Sequence, residues 1–116
     1  MKVYSYDLCT TCKKALNWLD MNNINYELID ITKNPPSKDL LMEAYNKLGE
    51  VKLLFNTRGK SYRELGSEII KSMSLDEAIN ALAADGKLIK RPFLITKDFR
   101  TLVGFKEIDW KKFFFD

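Results

Sequence analysis

The segment Lys2-Val-Tyr-Ser-Tyr-Asp-Leu-Cys9-Thr-Thr-Cys12-Lys-Lys-Ala15 indicates how this chain begins to fold. Residues 2–6 are rich in β-forming side chains, which predicts a short strand. A helix is predicted to follow, from Thr10 or Thr11 to Met21, because apolar side chains recur there at helical spacing. The predicted apolar stripe of this helix consists of Cys12, Ala15, Leu16 and Leu19.

A second strand follows a turn at Asn22-Asn23. Residues 24–28 alternate between apolar and polar side chains, and Ile29 and Ile31 extend the pattern, which is typical of a half-buried strand. Strand, helix and strand within about 30 residues form a βαβ unit. The two strands are therefore expected to be parallel, with a right-handed crossover between them.

The rest of the chain predicts a helical insertion over about residues 36–88 and then two strands and a helix. Within the insertion, Ser37 is placed to cap a helix that ends at Gly49, and Ser74 with Glu77 forms a capping box. The predicted later elements are helical turns at about 51–55, short helices at 62–65 and 75–84, strands at 93–96 and 101–103, and a helix over 106–115. The fold class is therefore α/β, in the order βαβ, helical insertion, ββα, as a single domain over residues 1–116.

Composition narrows the classes of function. The 116 residues carry a net charge of +3, and the basic residues are scattered, so direct nucleic-acid binding is not expected. No apolar run is long enough to cross a membrane and no export signal precedes the first strand, so a cytoplasmic location is expected. The chain has two cysteines and no histidine, which excludes histidine catalysis and the common zinc sites; no metal is expected.

The pair Cys9 and Cys12 is the candidate catalytic site. A thiol at a helix N-terminus meets unpaired N–H groups and the positive end of the helix dipole, and both lower its pKa. Cys9 is therefore the expected nucleophile, with positive charge from nearby Lys13. Cys12 lies one helical turn later on the same side, so it is placed to resolve a mixed disulfide formed on Cys9. Two ordinary buried thiols, or a metal site shared between two subunits, are the alternatives.

The backbone N–H groups of Thr10, Thr11 and Cys12 are expected to form an anion cradle beside Cys9. Arg91 and Pro92 open the predicted third strand. Arg91 is a candidate for holding a negative group near Cys9, and a surface ion pair is the other interpretation of this residue.

Several sequence blocks together resemble the arsenate reductase/Spx family. The resemblance is strongest to Spx-like and arsenate-reductase-like members, and it implies a thioredoxin-like fold in which a cis-proline, Pro92 here, lies against the cysteine pair. The blocks span nearly the whole chain in the family order. They are Cys9-Thr-Thr-Cys-Lys-Lys-Ala15, Asn56-Thr-Arg-Gly-Lys-Ser-Tyr-Arg-Glu-Leu65, Gly86-Lys-Leu-Ile-Lys-Arg-Pro92 and Val103-Gly-Phe-Lys-Glu107.

For the arsenate reductase branch, the resemblance implies that Cys9 attacks arsenate and that glutathione and glutaredoxin complete the cycle. Three arginines bind the oxyanion in that branch, and Arg91 corresponds to one of them. The other two positions hold Asn56 and Gly104, with Arg58 or Arg100 as candidate substitutes. The histidine that precedes the reactive cysteine in the reductases is Ser5 here. The residues therefore favour thiol redox chemistry over arsenate reduction.

For the Spx branch, the resemblance implies a redox switch in which a disulfide within the pair alters binding to the C-terminal domain of the RNA polymerase α-subunit. That surface includes a glycine that corresponds to a position near Gly49. Gly49 also has a simpler interpretation as the C-cap of its helix.

Two hypotheses follow. The first is a thiol-dependent oxidoreductase that needs no bound cofactor and is reduced by an external thiol such as glutathione with glutaredoxin, or by thioredoxin. Its site consists of Cys9 and Cys12 with Thr10, Thr11, Lys13, Arg58, Arg91 and Pro92. The second is an Spx-type regulator whose partner is the RNA polymerase α-subunit.

Overall fold

The computed structural model describes residues 1–116 and has a four-stranded mixed sheet in the order β2-β1-β3-β4. The βαβ unit consists of β1 (Lys2–Ser5), α1 (Thr10–Met21) and β2 (Glu27–Asp30). As predicted, β1 and β2 are parallel, with Lys2 opposite Glu27. The strands β3 (Phe93–Ile95) and β4 (Thr101–Val103) form a hairpin, and β3 pairs antiparallel with β1. This arrangement confirms the predicted α/β fold class.

The helical insertion lies between β2 and β3, and its ends are set by local capping. Ser37 Oγ accepts the Leu40 N–H at 3.2 Å, and Gly49 ends the same helix with φ +84°, a conformation that glycine adopts without strain. The Ser74–Glu77 capping box is present with both of its hydrogen bonds. The elements of the insertion and the C-terminus are α2 (Lys38–Leu48), a 3₁₀ turn (Val51–Leu54), α3 (Lys60–Leu65), α4 (Ser67–Lys71), α5 (Leu75–Ala84), a 3₁₀ turn (Gly86–Leu88) and, after the hairpin, α6 (Glu107–Phe115).

Three details differ from the sequence-based expectation. The strand β2 begins at Glu27, because Ile24 turns instead toward the residues that pack around α1. In α1, Trp18 is buried although it was not part of the predicted apolar stripe. Leu16, which was part of that stripe, is only half-buried. The helix α4 was not predicted, since it is a single short turn that starts directly after Gly66.

The sheet separates two apolar layers. Alternate residues of one strand face opposite sides of a sheet, so Val3 contributes to one layer and Tyr4 to the other. The aromatic layer, on the α1 and α6 side, has the buried residues Val3, Ala15, Trp18, Leu19, Leu94 and Trp110. The insertion layer is built on Tyr4, Ile31, Leu41, Ala44, Leu54, Phe55, Ile70, Ala78, Ile79, Leu82, Leu88, Ile89, Phe93 and Ile95. None of the helices has both the length and the apolar character needed to cross a bilayer.

Candidate functional site

Cys9 is the N-cap of α1, at the point where the chain leaves β1. Its N–H donates to the Tyr6 carbonyl at 3.0 Å, which fixes the tight turn that follows the strand. Its Sγ accepts the backbone N–H of Cys12 at 3.3 Å, so the sulfur occupies the place that a serine or aspartate oxygen takes in an ordinary N-cap. The thiol is thereby held against the N-terminus of a helix of 12 residues.

The surroundings of Cys9 favour the thiolate. Partial burial acts to raise the pKa of Cys9, but it is outweighed by hydrogen bonds from the side chain and backbone of Cys12 and by the hydrogen bond and charge of Arg91. The net result is a pKa below the ordinary value for cysteine. The thiolate is the nucleophilic form of the side chain, so the geometry prepares Cys9 for attack.

Cys12 is held in the opposite state. The residue has no exposed surface, and burial, followed by its hydrogen bond with Cys9, raises its pKa to about 11. A hydrogen bond with the Ser5 side chain acts to lower the pKa of the same thiol, but burial outweighs it. The two cysteines are reduced in this structure, with Cys9 half-buried and Cys12 buried. One helix therefore presents an accessible acidic thiol above an enclosed, protonated one.

Arg91 lines the same site as Cys9. The Arg91-Pro92 peptide bond is cis, as the thioredoxin-like resemblance implied. The guanidinium carbon lies 5.1 Å from the centre of the Tyr6 ring, and one terminal nitrogen approaches the Lys87 carbonyl at 3.4 Å. The Nε atom is buried and has no hydrogen-bond partner. A buried donor without a partner is unfavourable, so this nitrogen is left as an unsatisfied donor.

A cleft of about 510 Å³, the Cys9 cleft, opens above Cys9. Segments that are distant in sequence form its walls, because the Asn56 N–H donates to the Leu88 carbonyl and the Lys90 N–H to the Leu54 carbonyl, both at 2.7 Å. The Cys9 cleft is lined by Cys9, Thr11, Phe55, Asn56, Thr57, Arg58, Lys90, Arg91, Leu102, Val103, Gly104, Phe105, Lys106, Asp109 and Trp110.

The structure brings some of the predicted site residues together and leaves others apart. Thr11 and Arg58 line the cleft with Cys9 and Arg91. Thr10 and Lys13 are exposed on α1 and lie outside the lining. The N–H groups of Thr10 and Thr11 make no hydrogen bond within the protein, whereas the Cys12 N–H, expected in the same anion cradle, already donates to Cys9 Sγ. Pro92 is buried behind Arg91, and its carbonyl accepts the Gly104 N–H at 2.9 Å.

The two positions that correspond to the missing arginines both face the site. Asn56 and Gly104 both line the cleft. Where the resemblance aligns two arginines of the reductases, this chain therefore has an amide side chain and a glycine. A Cβ at Gly104 would lie 3.0 Å from Lys90 Cε, and Lys90 thus fills part of the space beside Gly104. Arg100 is not a substitute: it donates to the Phe113 carbonyl at 3.0 Å and stacks on the Phe113 ring, outside the cleft.

Sequence reasoning missed Tyr6, Lys90 and Lys106. Tyr6 supports the Arg91 guanidinium, and the two lysines add positive charge to the cleft. Lys90 stands next to Arg91 in sequence, and that pairing was the only available signal. No three side chains among cysteine, aspartate and glutamate converge in a way that would hold a metal ion.

Comparison with known proteins agrees with the fold. YusI of Bacillus subtilis, an uncharacterized protein, is 46% identical over 106 residues, covering 90% of this chain and 89% of YusI. The crystal structure of a possible arsenate reductase from Streptococcus mutans superposes with a TM-score of 0.85 at 42% identity, covering 95% of this chain and 96% of that chain. The global transcriptional regulator Spx of Streptococcus mutans is 29% identical over 90% of this chain and 76% of its own length. The sequence model of the ArsC family matches residues 4–113, and the chain therefore belongs to the ArsC family.

Proposed function

We propose that the protein is a thiol-dependent oxidoreductase in which Cys9 is the nucleophile and Cys12 the resolving thiol. The observation that carries this proposal is the contrast between the two thiols on α1. The pKa of Cys9 is lowered at the helix N-terminus beside Arg91, whereas Cys12 is enclosed and its pKa is raised to about 11. A reactive thiol above a protected one is the arrangement that disulfide exchange requires.

The chemistry proceeds in two exchanges. The Cys9 thiolate attacks one sulfur of a substrate disulfide, forms a mixed disulfide and releases the other sulfur as a thiolate, which takes up a proton. Cys12 then loses its proton and attacks Cys9 Sγ, which forms the Cys9–Cys12 disulfide and releases the second substrate thiol. The substrate gains two electrons and two protons, and the cysteine pair is oxidised by the same amount.

An external thiol closes the cycle by reducing the Cys9–Cys12 disulfide. Glutathione with glutaredoxin, or thioredoxin, supplies such reductants in the cytoplasm, where we expect the protein to act. No bound cofactor takes part. We favour a disulfide over arsenate as the substrate, because Asn56, Gly104 and Ser5 stand where the arsenate reductases carry two arginines and a histidine.

Turnover of a model disulfide and of arsenate, each coupled to a thiol reductant, tests the proposal. We expect Cys9→Ser to abolish disulfide turnover, because no nucleophile remains. Cys12→Ser is the matched control on the same helix: it is expected to stop after the first exchange and to accumulate a mixed disulfide on Cys9 that mass spectrometry detects. The proposal is wrong if the wild type turns over neither substrate above background.

The role of Arg91 is tested by the pH dependence of Cys9 alkylation. Removal of the Arg91 charge removes a contact that favours the thiolate, so Arg91→Gln is expected to raise the pKa of Cys9 and to shift the alkylation profile to higher pH. At neutral pH we expect kcat/KM for a model disulfide to fall by about tenfold or more. Arg100→Gln is the control, because Arg100 lies outside the cleft and its side chain bonds to the Phe113 carbonyl. Equal profiles for the wild type and Arg91→Gln would contradict the assigned role.

A second candidate function is redox-dependent regulation of transcription, which the similarity to Streptococcus mutans Spx favours. In that case the Cys9–Cys12 disulfide alters a surface that binds the C-terminal domain of the RNA polymerase α-subunit. Gly49 has a structural role as the helix C-cap, which does not itself argue for such a surface. Binding of the isolated α C-terminal domain to the reduced and oxidised protein tests this candidate, and no binding in either state eliminates it.

A further inference from the structure

A second cavity adjoins the Cys9 cleft on the insertion side. This apolar groove has a volume of about 560 Å³ and shares Phe55, Thr57 and Lys90 with the Cys9 cleft. The two cavities are therefore neighbours, with these three residues between them. The apolar lining residues of the groove are Val51, Leu53, Phe55, Tyr62, Ile70 and Met73.

The groove presents apolar surface that the fold itself does not cover. Leu53 projects from the 3₁₀ turn with 41% of its surface exposed. Val51, Tyr62 and Met73 are half-buried around it, and Ile70 forms the base. An exposed apolar patch with a polar rim, joined to a reactive side chain, is typical of a site that receives an apolar group of a ligand.

The charge around the two neighbouring cavities has one dominant sign. Arg58, Lys90, Arg91 and Lys106 line the Cys9 cleft, and Lys71 lines the groove; none of the five forms a salt bridge. Lys52, also on the groove, is paired with Glu50 at 3.8 Å. The single carboxylate of either lining is Asp109. For a chain with a net charge of only +3, this face concentrates uncompensated positive charge.

We infer that the substrate of the proposed oxidoreductase is an acidic polypeptide disulfide that lays an apolar side chain in the groove while its carboxylates face Lys71, Lys90 and Lys106. The inference rests on the proposed function. A small disulfide occupies the Cys9 cleft alone, whereas a polypeptide on either side of the reacting cysteine spans both cavities. Apolar burial in the groove adds binding energy, and the lysines select acidic sequences over basic ones.

The test compares two peptides of equal length, each with one cysteine linked to thionitrobenzoate and one nearby leucine. The first peptide carries glutamates and the second carries lysines at the same positions. Cys9 attacks the peptide sulfur and releases thionitrobenzoate, whose absorbance reports the rate; Cys12 then releases the peptide thiol. We expect kcat/KM to be about tenfold higher for the acidic peptide at low salt and the difference to shrink as salt screens the charges.

Variants locate the effect on the groove. Lys71→Gln is expected to reduce the ratio of kcat/KM between the acidic and the basic peptide by roughly two- to fivefold, which is the contribution of one exposed ion pair. Leu53→Ser is expected to raise KM for both peptides. Lys38→Gln is the matched control, because Lys38 lies on α2 and lines neither cavity.

Two results separate this inference from the proposed function. If hydroxyethyl disulfide is turned over but the two peptides react equally, or if Lys71→Gln behaves like Lys38→Gln, the inference about acidic polypeptides is wrong and the oxidoreductase stands. If neither peptide nor hydroxyethyl disulfide is turned over, the proposed oxidoreductase is wrong, and the inference is wrong with it.

Discussion

The two apolar layers on either side of the sheet are built differently, and both contribute a residue to the lining of the candidate site, Phe55 from the insertion layer and Trp110 from the aromatic layer. The aromatic layer is small and relies on ring packing: Trp18 and Trp110 meet edge to face with 5.9 Å between centroids. The insertion layer is larger and mostly aliphatic. Cys9 comes from a helix of the aromatic layer, and Arg91 comes from the segment that follows the insertion. The comparison indicates that the site depends on the relative position of two separately packed layers.

The largest expected effect follows from removing a ring from the aromatic layer. Trp110 is 1% exposed, its Nε1 donates to the Gly104 carbonyl at 3.1 Å, and its ring also lines the Cys9 cleft. We expect Trp110→Ala to lower the free energy of unfolding by about 3–5 kcal/mol, measured by urea denaturation. We also expect it to alter the rate of Cys9 alkylation in the folded protein, because the wall of the cleft is lost.

Leu82→Ala is the matched change in the insertion layer. Leu82 is fully buried but does not line the cleft, so a loss of about 2–5 kcal/mol is expected without a change in Cys9 alkylation under folding conditions. If both variants leave the alkylation rate unchanged, the aromatic layer does not shape the site. If Leu82→Ala changes it as much as Trp110→Ala, the two layers are equivalent in this respect.

A second test measures how the contribution of the Cys12 thiol to the free energy of unfolding depends on pH. Because the pKa of Cys12 is raised to about 11 in the folded protein, the unfolded chain loses this proton first as pH rises. Stability from the protonated thiol is therefore present below about pH 8.5 and lost between there and pH 11, on the order of 3 kcal/mol. We expect Cys12→Ala, measured in the reduced state, to remove this part of the slope.

Tyr4 provides an internal control for that measurement. Burial, with the charge of Glu27, also raises the pKa of Tyr4, so its contribution has the same sign and is present in both proteins. The difference between the wild type and Cys12→Ala therefore removes the Tyr4 contribution and reports the cysteine pair, because Cys12 also lowers the pKa of Cys9. Identical slopes in the two proteins would show that the enclosure of Cys12 does not hold its proton.

The smallest expected effect concerns a cap in the insertion, at a residue that does not line the cleft. Ser74→Ala removes one of the two hydrogen bonds of the capping box at the start of α5, so we expect a loss of about 1 kcal/mol in the free energy of unfolding and no change in Cys9 reactivity. Ser67→Ala is the control, because the exposed Ser67 side chain makes no hydrogen bond. Equal losses for the two variants would contradict the role of the cap.

Local features of the fold were predictable from the sequence. The caps at Ser37 and Ser74 and the glycine that ends α2 depend on residues within one turn of each other, so their spacing alone identifies them. The same holds for Cys9, whose place before an apolar helical stripe puts its sulfur at the helix N-terminus. The resemblance to known sequences added the cis bond at Pro92, which local pattern does not indicate.

The assembly of the site was harder to predict, since it depends on contacts between distant segments. Asn56 reaches the cleft only because residues 54–56 pair with residues 88–90 across the insertion. Tyr6 acts on Arg91 through ring stacking, for which the sequence contains no spacing signal. Arg100 was a reasonable candidate for the cleft by charge, but the Phe113 ring and carbonyl hold it elsewhere.

The complete enclosure of Cys12 sets the order in which oxidants meet the protein. A dissolved peroxide reaches Cys9 first, because Cys12 has no surface in contact with solvent. A sulfenic acid formed on Cys9 then has a thiol within the same helical turn, and condensation of the two releases water and leaves a disulfide. That disulfide is reversible, whereas further oxidation of an isolated sulfenic acid is not, so we expect the hidden thiol to protect the exposed one from permanent damage.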